Sequence, residues 1–201
     1  IRRKQSVPDL DAPNLATLVV MDDEAYYPYK CDYSKYYFSS GKKKVKRNVK
    51  YRTKEKFPKK LLVWIALSGK GHSEPFFIMN RGNVTREIYV EECIRKRLIP
   101  FLEKHHPNGD IIFWLDLASA QASAHYSKFS LELLRSLEIA IVPKEENRLN
   151  LPQIRPIEDF WASHKNLVYK GAWEAQNDKD LIKRINDKLK CFDQSYFVNL
   201  M

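Results

Sequence analysis

Residues 111–127, "IIFWLDLASAQASAHYS", place an aspartate directly after a run of apolar residues. Apolar runs of this kind are typical of buried strands, so the pattern predicts a strand over 111–115 that ends at Asp116. Burying an ionised carboxylate costs several kcal/mol unless a cation or a set of hydrogen bonds compensates. The rest of the chain must therefore supply that compensation for Asp116.

Two other acidic sites stand in comparable places. The run "ATLVVM" predicts a strand over 16–21 that ends at Asp22 and Asp23, and Glu158 lies in the first turn of a predicted helix that begins at Pro156. Carboxylates from strand ends and a neighbouring helix can converge and bind Mg²⁺ or Mn²⁺, and two such ions support in-line phosphoryl transfer. Considered singly, each acid also has a purely structural explanation. Asp116 could form a turn or cap a helix N-terminus, and Glu158 could interact with the helix dipole.

The charge of the chain favours a polyanionic partner. Lys and Arg number 35 against 25 Asp and Glu, which leaves a net charge of +10. The densest basic stretch is 42–60, which we interpret either as an arm that contacts DNA phosphates or as a solvated hairpin edge protected by its lysines. The candidate phosphate contacts are Lys42, Lys43, Lys44, Lys46, Arg47, Lys50, Arg52 and Lys54.

The order of elements predicts an α/β domain with a mixed sheet. After the first strand, we expect antiparallel strands at 61–68 and 76–79 and a helix over 85–106, capped by Thr85 and bent or broken before Pro100. The remaining predicted elements are the strand 111–115, a helix over 119–136 with an apolar face that includes Phe129, a strand over 139–142, and helices over 156–169 and 178–192. The five histidines show no metal-binding spacing and are predicted to be surface or capping residues.

Three blocks, in this order, resemble a known family. "VVMDDEAYY", "IIFWLDLASAQ" and "LPQIRPIEDFW" are similar to the strand-plus-DE, strand-plus-Asp and proline-rich acidic blocks of Tc1/mariner-type DNA transposases. The resemblance implies an RNase H-like mixed sheet flanked by helices, with 42–60 as a basic, clamp-like hairpin insertion. It also implies a catalytic domain over 16–201, preceded by a basic linker, 1–15, from a missing N-terminal DNA-binding region. Leu117 departs from the pattern, because many relatives have Asn there.

The resemblance further implies a DDE-type polynucleotidyl transferase with endonuclease activity. Such an enzyme hydrolyses DNA strands at transposon ends and transfers the 3′-hydroxyl to target DNA. The implied catalytic and metal-binding residues are Asp23, Asp116 and Glu158, with Asp22 as the alternate for Asp23, since a one-residue slip in strand register exchanges the two faces. The implied cofactor is two Mg²⁺ ions per site, for which Mn²⁺ can substitute.

The expected partners follow from the same resemblance. They are transposon-end and target DNA, bound by a homodimer, and the expected localisation is nuclear. We expect no membrane association, because no apolar run approaches the roughly 18 residues that a membrane span needs. Two alternatives stay open: a catalytically silent, domesticated relative that binds DNA or a protein through 42–60, and a related RNase H-like nuclease.

Overall fold

A computed structural model describes residues 18–30, 56, 58–79, 84–117, 122–147 and 155–201. The predicted linker 1–15 and the candidate phosphate contacts from Lys42 to Lys54 lie outside the described residues. None of the helices within the described ranges is long and apolar enough to cross a membrane.

The described chain forms a mixed sheet between two helical layers. The strands are β1 (Val19–Pro28), β2 (Lys60–Ser68), β3 (Gly71–His72), β4 (Phe76–Ile78), β5 (Ile112–Trp114) and β6 (Ala140–Ile141). Helix α1 is one run made of Arg86–Ile88, the π-helical Tyr89–Leu98 and Ile99–His105, and it is followed by α2 (Ala122–His125), α3 (Lys128–Ser136), α4 (Pro156–Val168), α5 (Asp178–Leu189) and α6 (Gln194–Leu200).

The sheet places β1 at its centre. The strand order is β3-β2-β1-β5-β6, with β4 paired to β2. Strand β2 runs antiparallel to β1 and β4, whereas β5 runs parallel to β1 and β6. These pairings confirm the predicted mixed sheet, the antiparallel strands after the basic stretch, and the buried strand that precedes Asp116.

Side chains of β1 alternate between two hydrophobic cores, because successive strand residues point to opposite faces. Met21, Ala25 and Tyr27 pack with α4, α5 and α6 on one face. Val20 belongs to the core on the other face, which α1 and α3 cover. The same alternation sends neighbouring aspartates of β1 to opposite sides of the sheet.

The predicted end of the first strand is wrong. Strand β1 does not stop at Met21 but continues through both aspartates to Pro28. The reason is that β2 pairs with it along this whole length, with Asp22 opposite Ala66 and Asp23 opposite Ile65. The two carboxylates therefore lie in the middle of a central strand.

Three helical predictions also need correction. Helix α1 begins at the predicted cap, where Thr85 accepts a hydrogen bond from the Ile88 N–H, but it does not break before Pro100. The wider π-helical turn, in which the Ile99 N–H bonds to Ile94 O, leaves room for the proline ring.

The single helix expected over 119–136 is two helices, since Ser127 caps α3 by accepting from the Ser130 N–H. Phe129 is 51% exposed, so it does not belong to the apolar face. Helix α6 was not predicted.

Candidate metal centre

The Asp22 carboxylate is fully buried and accepts three hydrogen bonds. Trp64 Nε1 and the Tyr89 hydroxyl donate to Oδ2 at 3.1 and 2.6 Å. The backbone N–H of Asp116 donates to Oδ1 at 2.9 Å. These donors come from β2, from α1 and from the segment after β5, so Asp22 joins the elements that surround it.

The Asp23 carboxylate, on the opposite face of β1, has a different environment. Trp161 Nε1, on α4, donates to its Oδ2 at 3.0 Å. Burial raises the pKa of Asp23 well above its usual range, and the negative charges of Asp116, Glu158 and Glu24 raise it further, while Arg155 opposes them. Asp23 therefore lies among carboxylates that repel its charge.

Asp116 lies two residues beyond the C-terminal end of β5. The parallel pairing of β5 with β1 ends at Met21 and Trp114, two residues before Asp23 and Asp116. The charge of Asp116 acts on the Asp23 carboxylate. Asp116 is 8% exposed, and its Oδ2 has no hydrogen-bond partner among the described residues. Buried polar atoms are seldom left in this state, so an unpartnered carboxylate oxygen suits a metal ion.

Glu158 lies in the first turn of α4, as predicted, and its residue is exposed. Its charge acts on Asp23, and so does that of Asp116. Of the three predicted acids, Asp116 and Glu158 are thus both near enough for their charges to raise the pKa of Asp23. Asp22, the alternate first acid, points to the other face and is saturated with donors.

A second group, Glu24, Asp116 and His125, offers ligand atoms that lie within 4.8 Å of one another. His125 Nε2 lies 3.1 Å from Glu24 Oε1, and its Nδ1 lies 3.0 Å from the Asp116 carbonyl oxygen. With an acceptor at each nitrogen, His125 donates twice and forms an ion pair with Glu24. Burial lowers the pKa of His125, but the charge of Asp22 and the hydrogen bond to Glu24 outweigh it and raise the pKa to about 10.

The prediction of surface or capping positions is wrong for His125 and His164, and for His106 only the capping alternative holds, since that residue is the C-cap of α1. His106, His125 and His164 are all buried. A hydrogen bond to a residue distant in sequence offsets the burial of each ring. The partners are the Ser68 hydroxyl for His106, Glu24 for His125, and the Tyr27 hydroxyl and Ile185 O for His164. Spacing along the chain gives no sign of such contacts.

Arg155 also lies at this site, which the sequence analysis did not predict. It precedes Pro156 at the start of α4, and its side chain reaches the middle of β1 and the segment directly after β5. Nη2 donates to the Asp22 carbonyl oxygen at 2.7 Å, and Nη1 donates to Leu115 O at 3.3 Å and lies 3.5 Å from Asp116 Oδ1. A positive charge thus lies beside the acids.

The comparisons with known proteins point to one fold. No protein-family model and no curated protein matches the chain. Among solved structures, the Mos1 transposase paired-end complex with the left transposon end superposes with a TM-score of 0.74 at 16% identity, covering 94% of this chain and 52% of that one. The catalytic domain of Mos1 mariner transposase superposes with a TM-score of 0.65 at 13% identity, covering 94% of this chain and 77% of that one.

The chain has the RNase H-like fold of the Mos1 catalytic domain. This match confirms the expected fold class, and it spans about half the length of the full Mos1 chain. The Mos1 structures include paired-end complexes with Mn and with Mg and a strand transfer complex.

Proposed function

We propose that this chain is the catalytic domain of a Tc1/mariner-type DNA transposase, in which Asp23, Asp116 and Glu158 hold two divalent metal ions. The observation that carries the proposal is that the charges of Asp116 and Glu158 both act on the buried Asp23, while Asp116 Oδ2 has no hydrogen-bond partner among the described residues. The similarity to Mos1, whose structures include Mn and Mg complexes, supports the same assignment.

The proposed role of each residue follows from its surroundings. Bound ions would activate a water or a 3′-hydroxyl and stabilise the leaving oxygen of an in-line displacement at phosphorus. Asp116 presents a carboxylate oxygen that no described residue contacts by a hydrogen bond, and Asp23 accepts one from Trp161. Glu158 is the exposed acid of the set and therefore meets solvent and substrate first. Asp22 is a structural residue in this proposal, because its oxygens already have donors.

Several finer points belong to the same proposal. The basic residues within 42–60 form an arm that contacts the phosphates of transposon-end and target DNA, and such binding weakens steeply as salt rises. The protein acts as a nuclear homodimer that both cleaves and joins DNA. Residues 1–15 link this domain, 16–201, to an N-terminal region that recognises the transposon end.

The metal site is tested by an anomalous difference map from crystals soaked in Mn²⁺. We expect one or two peaks that contact Asp116 and Asp23, with Glu158 as a direct or water-mediated partner. A peak bound by Asp22 in place of Asp23, or no peak at millimolar Mn²⁺, would contradict the assignment.

Strand cleavage provides the second test, as Mn²⁺-dependent nicking of supercoiled DNA. Glu158→Gln should lose this activity, whereas Asp159→Asn should keep it. Asp159 is the matched control, because it is an exposed acid in the same first turn of α4. Equal loss in both variants would indicate a general charge effect instead of a metal-binding role for Glu158.

A further inference from the structure

Arg155 holds together the three segments that carry the proposed metal-binding acids. Its guanidinium donates to the carbonyl oxygen of Asp22 on β1 and to Leu115 O, next to Asp116, while its own backbone begins α4, three residues before Glu158. The guanidinium carbon also lies 5.8 Å from the centre of the Trp114 ring. Arg155 therefore connects the start of α4 to the two strands.

The ion pair with Asp116 is looser than the contacts to the backbone. Nη2 lies 2.7 Å from the Asp22 carbonyl oxygen, whereas Nη1 lies 3.5 Å from Asp116 Oδ1. Asp116 Oδ2 and Arg155 Nε have no hydrogen-bond partner among the described residues. The arginine thus supplies charge to the acids without occupying the second oxygen of Asp116.

A charge in this position matters because the acids repel one another. Asp23 and Asp116 are only 7% and 8% exposed, so water screens the repulsion between them poorly. In a metal-free protein, a fixed cation beside the carboxylates lowers the cost of holding them together. A divalent ion does the same when it binds, so the two cations have overlapping roles.

We propose that Arg155 is a positioning residue that acts as the resident counter-cation of the acid site, and that a divalent ion takes over this role on binding. The proposal rests on the proposed function, since it takes Asp23, Asp116 and Glu158 as the metal-binding set. It predicts that loss of the arginine charge destabilises the metal-free protein and makes its stability depend more strongly on metal.

The experiment compares thermal unfolding of variants of the whole chain in EDTA and in Mn²⁺. Arg155→Met removes the charge, and Arg155→Lys retains it while losing the forked contacts to two carbonyls. Arg184→Met is the matched control, because Arg184 also donates to a backbone carbonyl, that of Val168, and lies 5.2 Å from the Trp173 ring. Arg155→Gln replaces Arg155→Met if the latter does not fold.

In EDTA we expect Arg155→Met to melt below Arg155→Lys. In Mn²⁺ we expect its rise in Tm to be about twice that of wild type, because the ion restores the missing charge as well as binding. Arg155→Lys and Arg184→Met should show the wild-type rise. This pattern is specific to charge, since a purely structural role would give Arg155→Met and Arg155→Lys the same dependence on Mn²⁺.

Two results would overturn the proposal. One is a Tm of Arg155→Met in EDTA that is no lower than that of Arg155→Lys, and the other is an Mn²⁺-induced rise no larger than in wild type. Absence of any Mn²⁺ effect in wild type would instead contradict the metal site of the proposed function. In that case, the comparison of Met with Lys in EDTA still decides whether Arg155 is a counter-cation.

Discussion

Asp22 and Asp23 are chemically identical neighbours on β1, yet the two faces of the sheet give them opposite environments. The Asp22 carboxylate receives hydrogen bonds from Trp64, Tyr89 and the backbone of Asp116. The Asp23 carboxylate receives one from Trp161 and lies among other acids that raise its pKa. One residue of displacement along a strand thus separates a carboxylate with three hydrogen-bond donors from one that lies among like charges.

The difference in environment assigns different roles to the two carboxylates. A buried carboxylate whose hydrogen bonds are met stabilises the elements that donate to it, and breaking such a network costs several kcal/mol. A carboxylate held against like charges is destabilising until a cation arrives, which is the condition of a metal-binding site. We therefore expect substitutions of the two aspartates to have opposite effects on stability and activity.

The largest effect is expected for Asp23→Asn. Loss of a proposed metal ligand should lower Mn²⁺-dependent DNA nicking by about 10³-fold or more, comparable with removal of a group that stabilises a transition state. The metal-free protein should melt at or above the wild-type temperature, because the neutral amide relieves repulsion from Asp116 and Glu158. Retained nicking, or a clear fall in the Tm of the metal-free protein, would contradict the assignment of Asp23 as a metal ligand held among like charges.

Asp22→Asn should reverse this pattern. Its amide group cannot accept from Trp64, Tyr89 and the Asp116 backbone together, so we expect a loss of about 3 kcal/mol in the free energy of unfolding, measured with urea. Nicking should fall only as far as the folded fraction falls under the assay conditions. If Asp22→Asn is as stable as wild type but inactive, Asp22 is the ligand and the assignment of the faces is reversed.

A smaller effect is expected from the tryptophan partners, which form a matched pair. Trp161→Phe removes the hydrogen bond to Asp23 while keeping a ring in the core, and it should weaken Mn²⁺ binding roughly tenfold, as loss of a group that orients a metal ligand does. Trp64→Phe removes one of three donors to Asp22 and should leave Mn²⁺ affinity unchanged. Isothermal titration with Mn²⁺ measures both, and equal affinities would show that the Trp161 bond does not orient Asp23.

Much of this arrangement could be predicted from local sequence. Asp116 follows a short apolar run, and Glu158 follows Pro156 at the start of a helix. Their places after a strand and in the first turn of a helix were therefore predicted correctly. Periodicity also predicted the start of α1 and the antiparallel strands after the basic stretch. These features depend on neighbours within a few residues, which the sequence displays directly.

The features that the sequence did not predict depend on distant partners. Strand β1 continues through Asp22 and Asp23 because donors 42 and 138 residues away, Trp64 and Trp161, offset the burial of the two carboxylates. His125 is buried beside Glu24, 101 residues away, for the same reason. Polar residues in an apolar run resemble a strand end until their partners are known.

The smallest expected effect comes from two buried histidines, one on each face of the sheet, whose pKa values shift in opposite directions. His125 lies on the Asp22 face with its pKa raised to about 10. On the other face, burial lowers the pKa of His164 to about 4, and its ring is neutral, accepting from Tyr27 and donating to Ile185 O. The folded protein thus retains the proton of His125 and releases that of His164, relative to the unfolded chain.

The sign of the pH dependence follows for each histidine. The stability contributed by His125 is complete below pH 6.5 and is lost as pH rises through about 10, so in EDTA the free energy of unfolding should fall by about 1 kcal/mol between pH 7 and 8. His125→Gln should flatten this slope. His164→Gln should not, because the His164 contribution is lost only as pH falls from 6.5 through about 4. An unchanged slope in His125→Gln would mean that the ring is not a charged partner of Glu24, and that the Asp22 face is held by neutral hydrogen bonds.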